Sequence, residues 1–179
     1  IIVMSVMNGF RTELINKIVG FNSHITVKPY ENRIEINKNE QNKLNLISKN
    51  LMLSNSGEAI IIKNNVTKGI ALRGYTDKDF SNLEIINRKS FLGDKNNLTK
   101  NYISLGKELS FTLDLKIGDK ITIMSSNGVE TIIGNLPKQK TFIVSSLFES
   151  GLIDFDNNIA FINLDTLEDF FNLNDKNRN

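Results

Sequence analysis

The sequence contains no cysteine. That excludes disulfide frameworks, cysteine-based zinc sites and thiol catalysis. It leaves the compartment open, because a domain in an oxidising compartment need not carry disulfides. Histidine is almost missing as well: His24 is the only one. A Ser-His-Asp arrangement around it would need a serine on a constrained turn, and no Gly-x-Ser-x-Gly occurs. No glycine-rich loop matches a phosphate cradle, and Gly118-Asp119-Lys120 is a turn rather than a Walker motif. Asp154-Phe155-Asp156-Asn157 offers oxygen ligands, but the EF-hand spacing with its closing glutamate is absent. This stretch is expected to be a turn with exposed carboxylates. Glu149 and Asp154 could form a carboxylate pair, a pattern that many surfaces share. A long apolar run is also lacking. The opening Ile1-Ile2-Val3-Met4-Ser5-Val6-Met7 is far shorter than the roughly 20 residues a membrane span needs. It has no basic leader and no Ala-x-Ala-like cleavage site. It reads either as the end of a membrane helix or as the apolar first helix of a processed soluble protein. These absences leave no catalytic residue, no metal ligand and no cofactor to expect.

What is present describes a globular protein. The 179 residues are 40% apolar and 23% charged, enough for one large domain or two small ones with a self-sufficient core. The net charge of +2 hints weakly at an acidic or membrane partner and argues poorly for nucleic acid. Lys138, Gln139, Lys140 and Phe142 are only a faint version of basic residues interleaved with aromatics.

Periodicity supplies the elements. Val3, Met7, Phe10, Leu14 and Ile18 form one apolar stripe, predicting a helix over Ile2 to Val19. His24 to Lys28 alternates and stops at Pro29, predicting a strand. Asn37 with Glu40 resembles a capping pair, and Leu44, Ile47 and Leu51 continue at helical spacing until Ser54-Asn55-Ser56-Gly57. Glu58 to Lys63 and Val66 to Arg73 read as paired strands joined by Asn64-Asn65. The order strand, helix, strand, strand predicts an α+β sandwich with a helix on one face. The Asp-, Asn- and Lys-rich stretch from Asp77 to Lys100 marks a change of subdomain, with a short helix or loop around Phe80 to Ile86. Lys107 to Leu113 predicts an amphipathic helix, and Asn158 to Asn163 a strand. Asp165 with Glu168 is expected to cap a last helix bearing Leu164, Leu167, Phe170 and Phe171 on one face.

The chain is organised around Lys120 to Phe148. Ile121 to Met124 and Thr141 to Val144 alternate as half-buried strands. The residues between them are too many for a tight turn of two to five residues. They include Val129, Ile132, Ile133 and Leu136, more apolar content than a disordered segment would carry. Two readings stand. The stretch projects and presents apolar side chains, or it is a longer hairpin folded back onto the domain.

Several segments resemble one family. Val3-Met4-Ser5-Val6-Met7-Asn8-Gly9-Phe10-Arg11-Thr12-Glu13-Leu14 is similar to the end of the first membrane helix of LolC/LolE, the permeases of the bacterial lipoprotein-releasing ABC transporter. Ser104 to Leu109, Leu115 to Ile121, Leu136 to Val144, and Phe148-Glu149-Ser150-Gly151 followed by Asp154-Phe155-Asp156 resemble the family's central region, in its order and spacing. The resemblance implies an extracytoplasmic domain of α+β class on an inner-membrane permease, here in the periplasm. In that layout 1–22 is a helix continuing from the first transmembrane segment. Residues 23–78 and 150–179 form a porter-like βαβ sandwich subdomain. It is interrupted by a small β-rich subdomain, 79–149, of the kind called Sabre in MacB-type proteins, carrying a projecting hairpin hook at 126–140. The hook implies a soluble LolA-type lipoprotein carrier as partner. Gly134, Leu136, Pro137 and Gln139 match its Gly-x-Ile/Leu-Pro-x-Gln part, and Lys140 stands where the family has a basic residue. Val129-Glu130-Thr131-Ile132-Ile133 departs from the family's Thr-Pro segment. Ile132, Ile133 and Leu136 are the expected apolar anchors, Pro137 stiffens the loop, and Lys138, Gln139 and Lys140 form a polar rim. The other implied partners are a second permease subunit (hetero- or homodimer), a separate cytoplasmic ATPase subunit, the lipoprotein substrate and the inner membrane. The alternative is a mechanotransmission or scaffold domain of a MacB- or FtsX-type transporter with another periplasmic partner.

Overall fold

The alternating runs of the sequence become strands of one mixed sheet. The structure is a computed structural model that describes residues 2–19, 23, 25–28, 38–48, 50–63, 66–131 and 134–173; for 2, 14, 16–19, 38, 41, 126–131 and 134–135 it describes the backbone alone. In chain order the elements are α1 (Ile2–Val19), α2 (Lys38–Ile47), β1 (Ser54–Lys63), β2 (Val66–Tyr75) and α3 (Asp77–Asn82). A 3-10 turn (Glu84–Asn87), β3 (Leu92–Gly93), β4 (Tyr102–Gly106) and α4 (Lys107–Thr112) follow. The chain continues through β5 (Lys120–Thr131), β6 (Gly134–Phe148), α5 (Ile153–Asn158), β7 (Ile159–Asn163) and α6 (Leu164–Phe171).

The strand order is β3-β6-β4-β7-β2-β1-β5, and β5 also pairs with β6. The hydrogen-bonded circuit β6, β4, β7, β2, β1, β5 therefore closes on itself. Pairing is antiparallel except for β2 with β7 and β4 with β6. Strands from the expected 23–78 and 150–179 unit (β1, β2, β7) and from the expected 79–149 unit (β3, β4, β5, β6) share this sheet.

β7 shows why the middle of the sheet reads as a continuous apolar run. Ala160 and Ile162 belong to one core, with Ile61, Leu72, Leu105 and, from α6, Leu167. Ile159 and Phe161 belong to a second, with Phe80, Ile85, Ile86 and Phe148. A strand covered on both faces has no polar side to alternate with. β6 serves both cores by another device. Its register against β4 slips between Ile103 and Ser104, so that Ser145 is an extra residue. The Ser145 hydroxyl donates to the Ile103 carbonyl at 3.2 Å. A one-residue insertion turns the rest of the strand over. Phe142 and Val144 accordingly lie in the first core and Phe148 in the second. There Phe148 packs on Phe161 at 4.7 Å between ring centroids.

α6 covers the first core. Asn163 caps it by accepting from the backbone N–H groups of Asp165 and Thr166, which corrects the expected cap at Asp165. Two glycines let it approach the sheet. A Cβ on Gly57 would lie 2.6 Å from the Phe171 ring, and one on Gly74 3.0 Å from Leu167 Cβ. Ser54-Asn55-Ser56-Gly57 is therefore the start of β1, not the stop of the preceding helix that the sequence predicts.

Other expectations also change. α2 ends at Ile47, so Leu51 lies outside it, and Leu46 and Ile47 are exposed. The expected strand at 24–28 is absent among the described residues: 25–28 form no ladder and Ile25 is 81% exposed. Each long strand of the closed circuit already has two neighbours. His24, Asn37 and the Asn64-Asn65 turn lie outside the described residues, although Lys63 pairs with Val66 on either side of that turn. α1 forms as predicted, and Val3, Met7 and Phe10 of its stripe are exposed, as are Met4, Val6 and Ile15. Among the described residues no helix is long and apolar enough to cross a membrane.

Candidate functional site

The candidate site is the β5–β6 hairpin. The strands predicted at Ile121 to Met124 and Thr141 to Val144 are present but far longer, because the residues between them pair as well. Gly128 faces Pro137, Val129 faces Leu136, Glu130 faces Asn135 and Thr131 faces Gly134. The stretch read as a loop is thus a continuous two-stranded arm, and only Ile132 and Ile133 at its end lie outside the described residues. The local pattern hid this because neither strand alternates there.

The arm divides into root and distal half. At the root β5 is flanked on its other side by β1, with Thr122 to Ser125 facing Ile62 to Ala59. Beyond Ser125 that pairing stops, and β4 pairs only with the 143–148 end of β6. The distal half has no other sheet partner among the described residues. At roughly 3.3 Å per residue, the path from Ser125 to Thr131 reaches about 20 Å. Root and distal half meet at a register break. Between the pairs Met124–Gln139 and Gly128–Pro137, β5 holds Ser125, Ser126 and Asn127, whereas β6 holds only Lys138. Pro137 sits beside this break, where its missing N–H costs the ladder least.

The predicted site residues therefore fall into three groups. Leu136 (55% exposed) and Pro137 are exposed on the arm, and Gln139 is exposed at the root. The Gln139 amide donates to Met124 Sδ across the ladder at 3.7 Å. Gly134 is placed by its pairing with Thr131, and Ile132 and Ile133 are not described. Lys138 and Lys140 are half-buried rather than a free rim. The Lys138 ammonium donates to the Asp169 carbonyl and, at 3.3 Å, to Asn172 Oδ1, both at the C-terminal end of α6. Lys140 lies 5.4 Å over the Phe142 ring. Burial draws its pKa below the ordinary lysine value, and the Asp169 carboxylate pulls the other way.

Elsewhere the structure offers little chemistry. Asp154-Phe155-Asp156-Asn157 lies within α5 rather than in a turn, and it separates the carboxylates. Asp154 is exposed, but Asp156 is only 2% exposed, and its two oxygens accept from the Ser150 N–H at 2.9 and 3.1 Å. Burial raises the Asp156 pKa, and the bonds from Ser150 partly offset it. The Arg88 guanidinium holds the Ser150 carbonyl at 2.7 Å. Glu149 pairs with Lys107 at 3.1 Å. Asp156 thus fastens the 149–152 turn to α5. Its burial was not readable from sequence, since acidic residues beside Asn normally signal a solvated turn. Among the described residues no three His, Cys, Asp or Glu side chains gather as a metal site.

No family model matches the chain. It is similar to proteins named lipoprotein-releasing system transmembrane protein LolC. The LolC of Xylella fastidiosa strain Temecula1 is 23% identical over 171 residues, 92% of this chain and 41% of that protein. The LolC of Neisseria meningitidis serogroup B is 25% identical over 176 residues, covering 92% and 40%. The LolC of Buchnera aphidicola subsp. Schizaphis graminum is 30% identical over 184 residues, covering 97% and 44%. The chain thus spans about two-fifths of the length of these curated relatives. Among solved structures, a domain described as that of a permease protein from Porphyromonas gingivalis matches with a TM-score of 0.40 at 10% identity, covering 72% of this chain and 53% of that one.

Proposed function

We propose that this relative of the LolC proteins is the periplasmic domain of an ABC-transporter permease that releases lipoproteins from the inner membrane and passes them to a soluble LolA-type carrier. The observation that carries this reading is the β5–β6 arm. Its distal half leaves the sheet and exposes Leu136 and Pro137, in a chain whose similarity to LolC extends over most of its length. A carrier with an apolar lipid cavity is met by an apolar tip, and such an interface draws its energy from a few desolvated anchors. Leu136, Ile132 and Ile133 are the anchors in this reading. Gly134 allows close approach at the tip, Pro137 lowers the entropy lost on docking, and Gln139 with Lys140 orients the encounter. ATP hydrolysis belongs to a separate cytoplasmic subunit, and a second permease subunit completes the transporter. The membrane-spanning helices belong to parts of such a permease outside the matched region. In the same reading 23–78 with 150–179 is the porter-like unit and 79–149 the Sabre-like one, their strands sharing one sheet.

The test is a titration of the chain with the LolA-type carrier of its own organism, beside a Leu136→Asp, Pro137→Gly variant. Saturable binding that the variant loses supports the docking arm. A folded wild-type chain that does not bind would remove the carrier-recruiting role and favour a MacB- or FtsX-type scaffold.

A further inference from the structure

The distal half of the arm is a two-stranded ribbon, and a hairpin alone is marginally stable in water. Its direction has to be set at its root. The root is also its weakest point, because three residues of β5 stand there against one of β6. Register breaks of this kind bend a ladder and interrupt its hydrogen bonds. The single β6 residue at the break is Lys138, and its ammonium is held by the Asp169 carbonyl and by Asn172 Oδ1.

The acceptor is a fixed post. α6 is capped at one end by Asn163 and anchored by Leu164, Leu167, Phe170 and Phe171, all buried. Its last turn contains no basic residue of its own. The unsatisfied carbonyls of a helix C-terminus favour a cation there. Lys138 supplies that cation from another element. Asn172 adopts the left-handed conformation with φ 55° and so ends the helix beside the ammonium.

We propose that Lys138 is a positioning residue: it clamps the bend of the β5–β6 arm to the C-terminus of α6 and thereby sets the direction in which the arm presents its apolar tip. It does not touch the partner. The consequence for carrier binding rests on the reading of the arm as a docking element; the clamp itself does not.

The chain has no cysteine, so two can be introduced for spin labels without interference. Labels at Glu130→Cys on the arm and Asp165→Cys on α6 report the arm's direction by pulsed electron resonance. A narrow distance distribution is expected in the parent, a broader one in Lys138→Met, and recovery in Lys138→Arg, which restores the charge. An unchanged distribution in Lys138→Met would overturn the clamp. Carrier affinity should weaken roughly three- to tenfold in Lys138→Met, the worth of one charged hydrogen bond at a helix end, and recover in Lys138→Arg. A broadened arm with unchanged affinity would overturn the positioning role. Absence of binding by every variant, with the label distances behaving as stated, would sink the carrier reading and leave the clamp standing.

Discussion

Gly106 offers a sharp test of how the sheet meets α5. Its φ of −64° and ψ of 144° suit any residue, so conformational freedom is not why glycine is there. Space is the reason. A Cβ would lie 1.9 Å from the Asp156 carbonyl oxygen and 2.5 Å from the carbonyl carbon. Backbone atoms cannot rotate away, so β4 and α5 must part, and overpacking of this kind costs about 1–3 kcal/mol. The same movement strains the bonds from the Ser150 N–H to Asp156, and a buried carboxylate left short of partners costs a further ~1–3 kcal/mol. Gly106→Ala is therefore expected to lose about 2–6 kcal/mol in urea unfolding, and its Tm to fall by on the order of 10 °C. Gly69→Ala is the control. No atom lies within 4 Å of its Cβ position, and it should stay within about 0.5 kcal/mol of the parent. A Gly106→Ala loss below about 1 kcal/mol, the centre of the range for ordinary substitutions, would refute the packing of α5 against β4.

Asp156 titrates with a raised pKa in the folded chain because it is buried. Between the unfolded and folded values the native state holds the extra proton, so its contribution to stability falls as pH rises through that window. Urea midpoints across that window should show this slope in the parent and lose it in Asp156→Asn; an identical slope in both would assign it to another group. Asn163→Ala removes the acceptor for two backbone N–H groups at the start of α6 and should cost about 1 kcal/mol in the same assay. Leu136→Asp alters a side chain that is 55% exposed, so unfolding should change by less than about 0.5 kcal/mol. If the arm docks a LolA-type carrier as proposed, affinity for it should fall more than about tenfold, since a charge would replace a proposed anchor. Unfolding of the variant well below the parent would place Leu136 in the core instead.

The sequence determined the elements whose signal is local. The β1–β2 pairing, α4 with its buried Leu109 followed by the buried Leu113, β7 and the apolar face of α6 all follow from spacing within a few residues. Periodicity in the helices records which side each turn buries, and the unbroken apolar run of β7 records burial on both faces, so no distant partner is needed to read them. It also located the stretch between the runs at Ile121 to Met124 and Thr141 to Val144 as the unusual part of the chain. Only the tertiary structure decided what depends on a partner far along the chain. Gly57 reads as part of a helix stop until Phe171 is laid over it. The run at 24–28 alternates like a strand, but a strand exists only where another offers it a ladder. Asp156 reads as solvated until Gly106 admits α5 against β4. Lys138 reads as one more surface cation, and becomes a clamp only because α6, 31 residues further on, ends beside it. Pattern specifies which face is apolar; closure of the sheet determines what that face meets.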